Sequence, residues 1–136
     1  MISKENKIMS YYFAKTLPSS FDDAVARTTA VLKEEGFGII TEIDLKETFK
    51  RKLDVDFRRY KILGACNPNL ALEALKLEDK VGTMLPCNVI VQERGSGQVE
   101  VAAIDPVASM QAIGNPALAE KAQAVRQKLQ SVIERL

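Results

Sequence analysis

The chain has no histidine and no tryptophan, and only two of its 136 residues are cysteine. The missing imidazole excludes Ser-His and Cys-His nucleophile pairs, histidine acid-base chemistry and His-rich zinc sites in one step. Two cysteines cannot complete a Cys-rich tetrahedral zinc site within one chain, and no Cys-x-x-Cys occurs. An excess of one charge is lacking too. Nineteen basic against 18 acidic residues leave a formal charge of +1, so no overall field draws the chain to nucleic acid or anionic lipid. No apolar run approaches the roughly 18 residues that a membrane helix needs. The first seven residues are polar and lack the apolar core of a secretory signal. The expected location is the cytoplasm, with neither nucleic acid nor membrane as partner, and there a disulfide is more often transient than structural.

What is present describes one domain. A chain of this length buries about two-thirds of its unfolded surface without a covalent staple. We read residues 1–7 as a flexible lead-in and 8–136 as a single α+β domain. From Ile8 to Thr16 the alternation of Met9, Tyr11 and Phe13 against Ser10, Tyr12 and Ala14 predicts a strand. Ser20 followed by Asp23 starts a helix carried by Phe21, Val25, Thr28 and Leu32, and Gly36 ends it, with Phe37 folding back on Leu32. Phe37, Ile39, Thr41 and Ile43 then read as one face of a second strand. Asp44 caps a short helix buried through Leu45, Phe49 and Leu53.

A third strand is expected from Phe57 to Ala65, with Tyr60, Ile62, Gly64 and Cys66 in phase. Asn67-Pro68 opens an apolar helix containing Leu70, Leu72, Ala74, Leu75 and Leu77. A fourth strand starts at Cys87, with Val89 and Val91 in phase, and turns at Gly95-Ser96-Gly97 into a fifth with Val99, Val101 and Ala103. Asp105-Pro106 and Asn115-Pro116 are further helix starts. In the last helix Leu118, Ala122, Val125, Leu129, Val132 and Leu136 form a stripe that covers a sheet or a partner. The basic stretch from Lys46 to Lys61 has interleaved acids and no glycine-rich phosphate loop, so it reads as a solvated face. Gly95-Ser96-Gly97 lacks the following helix and lysine of a phosphate loop.

The chemistry lies in the two cysteines. Cys66 precedes the cap Asn67, where the dipole end of the next helix stabilises a thiolate. Both cysteines continue the inward phase of their strands, so neighbouring strands would make them a dithiol that cycles to a disulfide, carries a persulfide or grips a soft metal. Glu42, Asp44 or Asp105 would then complete the coordination. The other reading keeps both as small buried hydrophobes, a common role for free cysteine.

The segments Ile62-Leu63-Gly64-Ala65-Cys66-Asn67-Pro68, Leu85-Pro86-Cys87-Asn88-Val89 and Ile104-Asp105-Pro106 resemble the family known as domain of unknown function 302, over about Tyr11 to Met110. The resemblance implies a two-layer α+β fold similar to that of the TATA-box-binding protein, with about five antiparallel strands and helices on one face, and a homodimer. It implies no activity, and it places the family's motif on Cys66, Asn67, Pro86 and Cys87.

Two functions remain. One is a binding domain for a thiol-reactive small molecule, a sulfur species or a soft metal, held by Cys66, Asn67, Cys87 and Glu42. The other is a structural or protein-interaction module with core cysteines, working through its last helix or an exposed sheet face. An enzyme ranks behind both. It would need Cys66 as nucleophile with Glu42, Tyr60 or a lysine as proton carrier, and no catalytic spacing supports it.

Overall fold

Cap and turn chemistry sets the element boundaries. The computed structural model describes residues 10–136, so the expected lead-in, and Ile8 and Met9 of the first expected strand, lie outside the described residues. Strand β1 spans Tyr12–Leu17. The Ser20 side chain accepts from the Asp23 N–H and opens helix α1, Phe21–Glu34. That helix ends in a Schellman turn: Gly36 takes φ +90°, and the Phe37 N–H donates to the Leu32 carbonyl at 2.9 Å. Strand β2 is Gly38–Asp44, and Asp44 caps α2, Leu45–Leu53, through the Glu47 N–H. Strand β3 runs Tyr60–Cys66, three residues later than the sequence predicts. Asn67 caps α3, Pro68–Leu77, which passes into a 3-10 turn at Asp79–Met84. Strands β4, Cys87–Gly95, and β5, Gln98–Ile104, form the expected hairpin. Asp105 and Asn115 cap the short α4, Pro106–Ser109, and the long α5, Pro116–Glu134.

The five strands form one antiparallel sheet in the order β1-β5-β4-β3-β2. Its inward face presents Leu63, Ala65, Val89, Val91, Val99, Val101 and Ala103, and these meet Phe21, Ala24, Val31 and Leu32 of α1 with Leu129, Val132 and Ile133 of α5. Of the α5 stripe, Leu129 and Val132 are buried in the chain's own core, with Val125 and Leu136 packed against it. Lys15 of β1 donates to the carbonyls of Glu134 and Leu136, tying the first described strand to the end of the last helix. Among the described residues no helix is long and apolar enough to cross a membrane.

A bulge changes the reading of β2. Ile39 pairs with Ala65 and Thr41 with Gly64, so Ile40 is an extra residue and the side-chain phase reverses after it. The face expected to carry Phe37, Ile39, Thr41 and Ile43 is split. Phe37 and Ile39 pack on the core, whereas Thr41 and Ile43 turn to the open face beside Gly64 and Ile62. Strict alternation cannot anticipate an inserted residue.

Inside α1, Thr28 is fully buried and its hydroxyl has no hydrogen-bond partner among the described residues. An unpaired buried hydroxyl costs roughly 1–3 kcal/mol, while valine has nearly the same shape. Thr28→Val is expected to gain about 1 kcal/mol in urea denaturation. A less stable variant would mean that the hydroxyl is satisfied.

Candidate functional site

Where α3 and α5 cross the ends of β3 and β4, four alanines leave a space. Ala65, Ala71, Ala74 and Ala122 all line a cavity of about 210 Å³. Its sheet side carries Cys66 and Cys87, its walls are Leu70 of α3 and Leu118 and Val125 of α5, and Leu85, Pro86 and Met110 close the rest. The lining contains only two polar side chains other than the thiols, Asn67 and Lys121. The Asn67 carbonyl oxygen is committed to the Leu70 N–H at 3.3 Å. Lys121 is paired with Glu73 across the two helices at 2.8 Å. Each partner lowers the energy of the other's charge, so the Glu73 carboxyl is held below its ordinary range and the Lys121 ammonium above.

The structure gathers three of the four expected site residues: Cys66, Asn67 and Cys87 line this one cavity. Glu42 lies elsewhere, in an ion pair with Lys61 at 2.7 Å. The carboxylates invoked to complete a metal site are engaged too. Asp44 caps α2, and Asp105 caps α4 while pairing with Arg126 at 3.1 Å. No group of three or more Cys, Asp or Glu side chains able to hold a metal ion occurs among the described residues. The expected inward phase holds for Cys87, which sits with Val89 and Val91 on the buried face. Cys66 is in phase with the open-face residues Ile62 and Gly64, and it reaches the cavity as the last residue of β3.

The sequence marks α3 as apolar through Leu70, Leu72, Ala74, Leu75 and Leu77 without choosing a face, so it does not single out the cavity wall. Leu72 and Leu75 point outward and are 54% and 40% exposed, while Ala74 is buried. The signal was there in the spacing of Leu70, Ala71 and Ala74, but leucines outweigh alanines in any hydrophobic stripe.

Both cysteines are free thiols, and burial, then the neighbouring Cys66, push the Cys87 thiol up from 9.0 to about 11. Below pH 9 native and unfolded chains both keep this proton, so it adds no pH dependence. Between about pH 9 and 11 the unfolded chain releases it and the native chain does not, and native stability falls by about 2–3 kcal/mol as pH rises. The stability advantage of wild type over Cys87→Ala, measured in urea at about pH 8 and again near pH 10.5, is expected to shrink by about 2 kcal/mol. A constant advantage would mean that Cys87 ionises as an exposed thiol does.

These features define a class, a two-layer α+β domain with one sheet face left open by the helices among the described residues and a small apolar cavity at one end of its helical layer. The model of the family described as Domain of unknown function DUF302 matches residues 13–136, and the chain belongs to that family. The crystal structure of an uncharacterized conserved protein DUF302 from Bacillus stearothermophilus is similar, with a TM-score of 0.85 at 26% sequence identity, covering 92% of this chain and 97% of that one. No curated protein matches the chain. The family and the two-layer fold are thus as the sequence led us to expect.

Proposed function

We propose that the chain is a binding protein for a small, mainly apolar molecule, held in the cavity between α3 and α5 with the Cys66 thiol in contact. The observation that carries this is the cavity itself, apolar and lined by both thiols of the chain. An apolar cavity of about 150 Å³ is enough to take benzene. About 210 Å³ suits a ring with a short substituent or a chain of roughly six to eight carbons. The lining favours an organic ligand over a soft metal, because two sulfurs stand there without a third donor and Cys87 holds its proton. Cys66, half-buried, is the thiol that a reactive ligand would meet.

The test uses 1-hexanol as probe, with binding read by calorimetry and by iodoacetamide labelling of the folded protein. Hexanol is expected to bind, Cys66 to label well before Cys87, and saturating hexanol to slow labelling at Cys66 by about fivefold or more. Absence of hexanol binding up to its solubility, with Cys66 labelling unchanged, would refute the reading.

A further inference from the structure

We propose that the natural ligand carries a carboxylate at one end, and that Lys121 takes it by exchanging its partner Glu73 for the ligand. This rests on the cavity reading above and names the chemical class that the cavity selects.

Lys121 is the single charged side chain on the lining, and no acid stands there. An apolar body inside the cavity therefore meets one group capable of fixing a polar end by charge. Asn67, the other polar side chain, is neutral: its amide oxygen accepts from the Leu70 N–H, and its amide N–H groups offer a ligand a hydrogen bond without charge. The Lys121 side chain is 37% exposed and that of Glu73 50% exposed, which places their pair on the solvent side of the cavity. Glu73 is itself absent from the lining, so it can release the ammonium without disturbing the apolar wall. Exposed ion pairs contribute little to stability, so exchanging one carboxylate for another costs the fold almost nothing.

What decides the exchange is the body attached to the incoming carboxylate, because its burial adds a driving force that Glu73 does not have. A single ammonium also matches a monoanion. Phosphate and other multiply charged groups are recognised by forked guanidinium groups or clustered backbone N–H groups, and this rim offers a single lysine. A lysine suits such a rim, because its stem can cover apolar wall while its head reaches water.

The experiment compares hexanoate, 1-hexanol and hexylamine by calorimetry at neutral pH on the full chain, in wild type, Lys121→Met and Glu73→Gln. Wild type is expected to bind hexanoate about tenfold more tightly than hexanol, and hexylamine more weakly than either. Lys121→Met should remove the preference for the acid, bringing hexanoate to no tighter than hexanol in the same variant. Glu73→Gln, which frees the ammonium, should tighten hexanoate by roughly threefold or more and leave hexanol unchanged. Equal binding of the acid and the alcohol by wild type, or a hexanoate affinity indifferent to both substitutions, overturns the carboxylate assignment while the cavity reading stands. If neither compound binds, both fall together.

Discussion

Replacing Gly64 by alanine is expected to destabilise the protein by about 3 kcal/mol, a large loss for one methyl group. The added Cβ would lie 2.0 Å from the Thr41 Oγ1 and 2.7 Å from the Pro86 Cγ, both far inside contact distance. Neither neighbour can simply step aside. Thr41 sits directly across the β2–β3 pair at the bulge, and Pro86 is a ring that enters β4 just ahead of Cys87. Alanine would otherwise help by about 0.4–1 kcal/mol through a less mobile unfolded chain, so the measured loss is net of that gain. Thr41→Ala removes the oxygen but leaves Pro86 in place. The double variant should therefore recover part of the loss, with a coupling of about 1 kcal/mol in a double-mutant cycle read by urea denaturation. Wild-type stability in Gly64→Ala would show that the strands do not approach this closely.

Filling the cavity should have the second large effect. Ala71 lies on α3, half-buried, with its side chain on the lining. Ala71→Phe places a ring where the ligand's apolar body would go, and hexanol affinity is expected to fall about 100-fold, equivalent to about 2.7 kcal/mol. The apolar ring meets apolar wall, so the thermal midpoint should stay or rise. Cys66→Ser is the useful contrast, since it keeps the volume and should leave hexanol binding within about threefold of wild type. A folded Ala71→Phe that binds hexanol as wild type does would place the binding elsewhere.

Much of this fold could be read from local chemistry. The caps Ser20, Asp44, Asn67, Asp105 and Asn115 were legible because each solves a problem within three residues, supplying an acceptor to free helix N–H groups. The Schellman turn at Gly36 was legible for the same reason. What could not be read depends on partners distant in sequence. Ile40 is a bulge residue only because of how β2 registers against β3, and that register sets Ile43 on the open face instead of the buried one. Glu42 looked as available as any acid, but the β2–β3 register sets it opposite Leu63 and brings Lys61, two residues along β3, into a diagonal ion pair with it. Whether Cys66 and Cys87 meet hangs on β3 and β4 being neighbours, which no local pattern decides, and the cavity between α3 and α5 arises from alanines, which count for little in a hydrophobic pattern.

Among the described residues strand β1 has a single strand partner, β5, with Tyr12 set against Ile104 and Leu17 against Val99. During synthesis from the N-terminus, the first described strand to be made therefore has no neighbour to join until residues 99–104 have also been made. The cavity waits longer still, because Leu118, Lys121, Ala122 and Val125 belong to the final helix. The β3, β4 and β5 strands can pair in order as they emerge, whereas β1 joins the sheet only after residues 99–104, and the cavity closes only after residues 118–125, have been made.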